Sequence, residues 1–296
     1  MYVFCLSEII PSNVKQVTDS DFNMTGSKAI TEEEAQLYDR QIRLWGLDAQ
    51  KRLRASRVLV AGMKGLGCEV VKNLVLAGVN SLTMIDHENL TTEDTDSQFL
   101  APREKCGTNR AEASLDRVRQ LNPGVEVKVD TSHLDSKDAK FFCDNFDLVV
   151  ITNFPKETVV KINRMCRDGG IKFFAGDVFG FFGYSFMDLV SHEYVEEVKQ
   201  TTSGIKSDIE ENKAISEDDA PKAKKSRTVE VDVPETKMEK RSMAFVPLED
   251  ALNVDWTQEL YKKRIKRMDP SYFLLQVILL GLRAKHVISV DNNLID

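Results

Sequence analysis

The sequence predicts an α/β protein with a Rossmann-like, doubly wound, mostly parallel sheet, N-terminal helices and a disordered charged insertion. Three observations lead to this prediction. Over residues 57–177, short apolar runs alternate with amphipathic segments of helical length. Two of the runs, VLVAG and LVVIT, are apolar throughout, as strands covered on both faces must be. Residues 195–244 contain no aromatic residue and are rich in charged and small polar residues, so they bury too little apolar surface to fold.

Residues 1–30 show no sustained periodicity, which predicts a disordered leader. A capping box then begins at Thr31 and opens a helix that continues through YDRQIRLWG to about Ala55. Gly46 is expected to break this helix, because glycine is a poor helix former.

The alternating part of the chain contains five predicted strands and two predicted helices. The strands are RVLVAG, SLTMID, VEVKVD, DLVVIT and IKFFAGD, and the helices are CEVVKNLVLAG and NRAEASLDRVRQLN. Order is expected to resume after the insertion with AFVPLEDAL and two helical patterns, WTQELYKKRIKRM and DPSYFLLQVILLGL. The second pattern has Pro270 just inside an Asp269 cap, a typical helix start.

These elements define the domain organisation. A Rossmann-like domain is predicted over residues 31–198 and is expected to continue over residues 243–282. The leader (1–30), a disordered charged insertion (199–242) and a divergent tail (283–296) lie outside it. Within the insertion, Pro221–Arg227 reads PKAKKSR, either a basic cluster of the kind that nuclear import receptors recognise or a solvated charged loop.

Composition limits the possible functions. A chain of 296 residues with 42% hydrophobic residues can bury a sizeable core. The net charge of −7 provides no domain-wide basic surface for nucleic acid or an anionic membrane. The five cysteines include no C-x-x-C pair and fit reduced intracellular thiols, and the four histidines are scattered. We therefore expect no metal site, no signal peptide and no membrane segment.

A glycine-rich loop follows the first predicted strand. Gly62, Gly65 and Gly67 precede a helix, and Asp86 ends the next strand. In this setting phosphates bind at the helix N-terminus and an acidic residue accepts the ribose hydroxyls. The second glycine of the usual fingerprint is replaced by Lys64, whose side chain can fill or screen the pocket. Two interpretations remain: a nucleotide site, or glycines that serve only turning and packing beside a solvated aspartate.

Four segments taken together resemble the activating enzymes for ubiquitin-like proteins: YDRQIRLWG, SRVLVAGMKGLG, LTMIDHENL and IKFFAGDVFGFFGYSFMDL. The resemblance covers about residues 31–282. The short chain, the brief charged insertion in place of a large cysteine domain and the FFAGDVFG region are most similar to the smaller subunits of the heterodimers that activate SUMO. The resemblance implies a complex that adenylates the C-terminal glycine of SUMO with MgATP and transfers it to a cysteine as a thioester, for protein sumoylation.

The resemblance also implies that this chain is the half that does not catalyse adenylation alone. Active halves carry an Asn-x-x-Arg-Gln run after the ribose aspartate, whereas Leu90–Phe99 contains no arginine here. Active halves also carry an Asp-Asn pair beyond the fourth strand, where the aspartate holds magnesium, whereas Ile151–Lys156 contains no carboxylate. ATP and magnesium are therefore expected mainly on the partner, and the following residues are expected to be a vestigial nucleotide site: Gly62, Gly65, Gly67 and Asp86.

Arg40 is the residue that this chain is expected to contribute. It matches the family arginine that reaches from the N-terminal helix to the partner's ATP, and a guanidinium supplied in trans stabilises the charge that develops on the phosphates. The alternative is a surface arginine paired with an acid one helical turn away. Arg43 is the second candidate, and Leu44 with Trp45 is expected to pack the helix against the partner or the sheet.

The implied partners are the catalytic large subunit, SUMO and, indirectly, the SUMO-conjugating enzyme, with a location in the nucleus and some cytoplasm. None of the five cysteines lies in a segment that resembles the thioester cysteine. Beyond about Leu282 the sequence departs from the family's closing elements, so a truncated, inactive form that binds its partner is a second hypothesis. A nicotinamide-dependent oxidoreductase and a homodimeric adenylyltransferase are further hypotheses; Lys64 argues against the first, and the missing magnesium aspartate against the second.

Overall fold

The structure is a computed structural model of the chain and describes residues 2–5, 14–16, 30–199, 236–259, 261, 265–266 and 268–281. None of the helices formed by these residues is both long and apolar enough to cross a membrane. Parts of the predicted helix WTQELYKKRIKRM, the basic cluster Pro221–Arg227 and the tail 283–296 lie outside the described residues.

Two β-sheets are formed by the described residues. Their strands are β1 (Tyr2–Cys5), β2 (Val14–Gln16), β3 (Arg57–Ala61), β4 (Ser81–Ile85), β5 (Glu126–Asp130), β6 (Leu148–Thr152), β7 (Lys172–Phe179), β8 (Phe182–Asp188), β9 (Ser191–Lys199) and β10 (Thr236–Ala244). The larger sheet has the order β1-β8-β7-β6-β3-β4-β5, and the smaller has the order β2-β10-β9. In the larger sheet all pairs are parallel except the β7–β8 hairpin. The predicted mostly parallel, Rossmann-like sheet is confirmed.

The helices are α1 (Glu32–Leu37), α2 (Asp39–Trp45), α3 (Leu47–Ala55), α4 (Gly65–Ala77), α5 (Arg110–Leu121), α6 (Ala139–Asn145), α7 (Lys156–Asp168), α8 (Leu248–Leu252) and α9 (Pro270–Gly281). The predicted capping box is present, because Thr31 Oγ1 accepts the Glu34 N–H and the Glu34 carboxylate accepts the Thr31 N–H. The expected single helix is divided at Tyr38 as well as at Gly46. Gly46 has φ +87°, a conformation that glycine adopts readily.

Apolar side chains form a core on each face of the larger sheet. On one face Leu59 of β3 packs in a cluster with residues of α6, α7 and α8, and on the other Val58 and Val60 pack in a cluster with residues of α4 and α5. This two-sided burial explains why β3 and β6 are apolar throughout rather than alternating. The sheet is therefore a rigid support for the loops at its carboxyl edge.

Strands extend into stretches predicted to be disordered. β1 and β2 lie within residues 1–30, and β10 begins at Thr236, within the predicted insertion. β10 pairs along its length with β9, from Thr236 opposite Lys199 to Ala244 opposite Ser191. Backbone hydrogen bonds between strands do not depend on apolar side chains, so a polar composition did not reveal this pairing. Lys199 and residues 236–242, which the sequence assigns to the insertion, therefore lie in strands.

Candidate functional site

A cavity of about 520 Å³ opens at the carboxyl edge of the larger sheet. β3 lies between β4 and β6, so the connections leave this point in opposite directions, and such a switch point creates a crevice outside the strand ends. The lining residues belong to the loops after β3, β4, β5 and β6, to α5 and to the end of β7: Gly62, Lys64, Asp86, His87, Glu88, Arg110, His133, Asp135, Asn153, Phe154, Pro155, Asp177 and Phe179.

The glycines of the loop after β3 are explained by close packing. Gly62 has φ +88°, and a Cβ there would lie 2.1 Å from the Thr152 carbonyl oxygen. A Cβ at Gly67 would lie 1.8 Å from the Gly62 carbonyl oxygen. At Gly65 it would lie 3.1 Å from the Ser97 side chain. Turning and helix–strand packing, one of the two interpretations left open by the sequence, therefore suffice to explain Gly62 and Gly67.

Asp86 is buried, which corrects the idea that it is a solvated loop residue. One carboxylate oxygen, Oδ2, accepts hydrogen bonds from the Met63 N–H at 2.8 Å and from Arg110 Nη1 at 2.8 Å. The other, Oδ1, accepts the Glu88 N–H at 3.0 Å. The protein thus engages both oxygens that would otherwise receive ribose hydroxyls.

Arg110, the first residue of α5, is the centre of this charge cluster and was not singled out from the sequence. It is 3% exposed and contacts three carboxylates: Asp86 at 2.8 Å, Glu88 at 3.1 Å and Asp94 at 3.1 Å. Burial lowers the pKa of Arg110, but the carboxylates outweigh this effect and the net shift is upward. A buried arginine with several acidic partners is a structural centre rather than a free phosphate ligand.

Glu88 and Asp94 respond to the same arginine. For both, burial raises the pKa, yet the net pKa lies below the ordinary value. At Glu88 the hydrogen bond from Arg110 and the charge of Lys64 outweigh burial. At Asp94 the Thr91 N–H, 2.9 Å from Oδ2, and the charge of Arg110 do so. Both acids are therefore held ionised around one guanidinium.

Lys64 occupies the N-cap position of α4 and lines the cavity. Its Nζ lies 3.9 Å from a carboxylate oxygen of Glu88, so its charge is directed at an internal acid. This placement agrees with the expectation that Lys64 fills or screens the pocket. It stands where a phosphate would approach the helix N-terminus.

The other polar residues that line the cavity include two histidines and two aspartates. The rings of His87 and His133 have centroids 4.1 Å apart, and His133 Nδ1 accepts the Asp135 N–H at 3.2 Å. Asp177, near the end of β7, is buried, and burial raises its pKa. Four carboxylates thus line the cavity, at Asp86, Glu88, Asp135 and Asp177, against two permanent cations, at Lys64 and Arg110. Acidic groups therefore outnumber the basic ones in the lining, which disfavours a phosphate group that arrives without a metal ion.

Arg40 lies elsewhere, on α2, and is exposed. Within the described part of the chain it forms no ion pair or hydrogen bond. Arg43 instead forms the helical pair that was the alternative for Arg40: its Nε lies 3.1 Å from Asp39 Oδ1 and its Nη2 lies 3.0 Å from Asp39 Oδ2. Near Arg40 in the sequence, Leu37 is 68% exposed and Leu44 is 78% exposed. Leu44 is therefore not packed on the sheet.

The opposite side of α2 fixes its position. Tyr38 is buried, and its hydroxyl accepts a hydrogen bond from Asn122 Nδ2 at 2.8 Å. Its ring covers Gly78, where a Cβ would lie 2.4 Å from the Tyr38 hydroxyl oxygen. Trp45 Nε1 donates to Gln50 Oε1 at 3.0 Å, and Gln50 Nε2 donates to the Ala77 carbonyl at 3.0 Å. The helix is anchored on one side while Arg40 faces outward.

Two of the four free cysteines whose side chains the structure describes lie in the core. Cys68 and Cys166 are buried, and burial raises the pKa of Cys166 to about 12 and raises that of Cys68 further, so both thiols stay protonated near neutral pH. Among the residues that the structure describes, no three acidic, histidine or cysteine side chains are grouped so that they could hold a metal ion.

Comparisons with known proteins complete the description. The ThiF family model matches residues 38–225. SUMO-activating enzyme subunit 1 of Rattus norvegicus is 50% identical over 250 residues, 84% of this chain and 68% of the rat protein. The protein of the same name from Homo sapiens gives the same figures. Among solved structures, the E. coli tRNA N6-threonylcarbamoyladenosine dehydratase TcdA aligns with a TM-score of 0.46 and 22% identity, over 50% of this chain and 62% of that one.

Proposed function

The chain belongs to the ThiF family and, within it, to the group of SUMO-activating enzyme subunit 1, and from this premise we propose that it is the non-catalytic subunit of a heterodimer. That heterodimer uses ATP to adenylate SUMO and passes the modifier to a thioester cysteine on the partner subunit, for protein sumoylation. In this proposal ATP and magnesium bind mainly to the partner. The chain acts by completing the partner's site.

The proposed division of roles between the two subunits rests on the hydrogen bonds that Asp86 already accepts within this chain. Its carboxylate accepts hydrogen bonds from two backbone N–H groups and from Arg110, so three of its roughly four acceptor sites are occupied and two ribose hydroxyls would compete with internal partners of a buried charge. Displacing one partner of a buried ion pair is strongly unfavourable. The acidic lining of the cavity adds repulsion of the triphosphate. A nucleotide is therefore expected on the partner and not in this cavity.

Arg40 is the positive contribution of this subunit. Its guanidinium is exposed and unpaired within the described residues, so it is available to an anion on another chain without losing an internal contact. Arginine is suited to this role because it is permanently charged and presents several N–H donors in a plane. We assign Arg40 the stabilisation of phosphate charge in the partner's ATP site during adenylation.

The thioester step is assigned to the partner for a separate reason. Cys106 and Cys143 are more exposed, but like the other cysteines they lie in no segment that resembles the family's thioester cysteine. A nucleophilic cysteine acts as a thiolate, whereas burial keeps Cys68 and Cys166 protonated. Their place in the core is that of small apolar residues. The conjugating enzyme that next receives SUMO is accordingly an indirect partner of this chain.

A location in the nucleus, with some protein in the cytoplasm, is part of the proposal. It rests on the basic cluster Pro221–Arg227, which import receptors could read as a charged linear motif. A variant with the lysines and arginine of this cluster changed to glutamine should accumulate in the cytoplasm, and unchanged nuclear fluorescence of a tagged protein would remove this support.

The proposed function is tested by SUMO-dependent exchange of pyrophosphate into ATP, which reports adenylation directly. We expect no exchange with the chain alone, exchange with the chain and its large subunit together, and weak exchange when the chain carries Arg40→Ala. Arg52→Ala is the matched control, because it removes an exposed arginine from the neighbouring helix α3 and should leave exchange unchanged.

The outcomes separate the hypotheses. Exchange by the isolated chain would contradict the division of roles. Equal exchange with Arg40→Ala and with the wild type would show that Arg40 does not contribute to adenylation. No exchange in any mixture would favour an inactive form that binds its partner.

A further inference from the structure

The cavity contains one acid that the charge cluster around Arg110 does not engage. Asp177 is 8% exposed and lines the cavity. Its Oδ1 accepts the N–H of its own neighbour, Val178, at 2.8 Å, and its Oδ2 has no hydrogen-bond partner within the described residues. The side chain is otherwise enclosed, and this oxygen opens onto the cavity, so it can accept a hydrogen bond from a ligand without losing an internal partner. It therefore marks a place where a donor would be favourable.

Neither cation of the cavity pairs with Asp177. Arg110 contacts Asp86, Glu88 and Asp94, and the ion pair of Lys64 is with Glu88. Burial raises the pKa of Asp177, and it outweighs the Val178 N–H and the charge of Lys64, which both lower this pKa. Among the described residues, the Asp177 carboxylate therefore has no internal counter-ion.

Aromatic rings line the same cavity. Phe154 and Phe179 are half-buried and line it together with the His87–His133 pair. The rings of His87 and Phe154 have centroids 6.4 Å apart. Aromatic faces attract organic cations, and the attraction is stronger where water is excluded. An acid beside such rings favours an ammonium or guanidinium group over a hydrated metal ion.

We propose that the cavity binds the cationic end of a small organic group, a primary ammonium or a guanidinium on a flexible stem, with Asp177 as its counter-ion and Phe154 and Phe179 beside the stem. The cation comes either from a free polyamine or from a lysine or arginine side chain of a protein. This site does not depend on the proposed function, because it uses only residues of this chain.

The test is a calorimetric titration of the full chain with matched probes. Spermidine represents the free polyamine, and Nα-acetyl-lysine methylamide represents a protein side chain. The same lysine compound with an additional acetyl group on Nε is the uncharged control. We expect saturable binding of at least one cationic probe and none of the uncharged compound. Tighter binding of spermidine would identify a free polyamine as the ligand, and tighter binding of the lysine compound a protein side chain.

Three variants connect the binding to the structure. Asp177→Asn keeps an acceptor for the Val178 N–H and should weaken binding about 10- to 100-fold. Asp168→Asn changes an exposed aspartate at the end of α7 and should leave affinity unchanged. Phe154→Leu keeps the acid and should weaken binding about 2- to 30-fold, which gives a second reading if Asp177→Asn fails to fold.

Two results would overturn the inference. One is the absence of saturable binding by both cationic probes. The other is binding that Asp177→Asn or Phe154→Leu, folded as judged by an unchanged unfolding midpoint, leaves at the affinity of the wild type.

Discussion

Two arginines at opposite levels of burial show how the fold distributes its charge. Arg110 is enclosed and holds three carboxylates at the cavity, whereas Arg40 is exposed on α2 without an ion pair in the described part of the chain. Both are on helices, and both are permanently charged. The comparison shows that a charged side chain is available to a ligand only where it does not already form ion pairs within the chain. We expect substitution of Arg110 to affect stability and substitution of Arg40 to affect adenylation.

The largest expected effect on stability is that of Arg110→Ala. Removing the guanidinium leaves Asp86 and Asp94 buried without a counter-ion, and breaking a buried pair costs about 3–5 kcal/mol. Urea denaturation of the chain measures the free energy of unfolding. Arg103→Ala, at an exposed arginine of the same region, should change it by less than about 0.5 kcal/mol. Equal effects of the two substitutions would show that the cluster does not stabilise the fold.

The next effect is on activity. Arg40→Ala should reduce SUMO-dependent pyrophosphate exchange by the heterodimer about 100-fold, as loss of one donor to developing charge does elsewhere. The free energy of unfolding of the chain should stay the same, because the side chain makes no internal contact. If Arg40→Ala lowered both the free energy of unfolding and pyrophosphate exchange, the proposed difference between Arg40 and Arg110 would be wrong.

A smaller effect is expected from acid. The pKa of Asp94 lies below its ordinary 3.8 in the folded chain, because the Thr91 N–H and Arg110 outweigh burial. The lowered pKa means that its contribution to stability is complete above pH about 3.8 and is lost as the pH falls through the folded pKa. The difference in unfolding free energy between the wild type and Asp94→Asn should therefore be constant near neutral pH and shrink below pH about 3.8. A difference in unfolding free energy that grows as the pH falls would contradict the stabilisation of ionised Asp94 by the charge cluster.

The smallest effect concerns the anchor of Arg40. Tyr38→Phe removes the acceptor of the Asn122 amide, which keeps its bond to the Val75 carbonyl at 2.9 Å. The expected loss is about 0.5–1.5 kcal/mol in the free energy of unfolding. With the ring still on Gly78, exchange by the heterodimer should change little. A loss of exchange as large as that of Arg40→Ala would show that the hydroxyl positions the arginine.

The sequence was informative where structure is local. Periodicity predicted β3 and α4, and the capping residues predicted the helix start at Thr31. In each case the signal lies within a few neighbouring residues, and the physical cause is equally local.

The charge cluster could not be predicted in the same way. Asp86, Glu88 and Asp94 meet Arg110 only because the loop after β4 folds back onto the start of α5. Whether Asp177 faces a cavity depends on the β7–β8 hairpin, and the pairing of β10 with β9 depends on backbone contacts across the insertion. Such contacts leave no periodic trace in composition, although an arginine at the first position of a predicted helix beside a buried strand end was an available clue.

We propose that the charges of this chain close its cavity to nucleotide, while Arg40 serves the site of another subunit. The most direct measurement is the number of MgATP molecules bound per heterodimer at saturation, determined by equilibrium dialysis with the chain alone in parallel. We expect one MgATP per heterodimer and none on the isolated chain. Two per heterodimer, or one on the isolated chain, would contradict it.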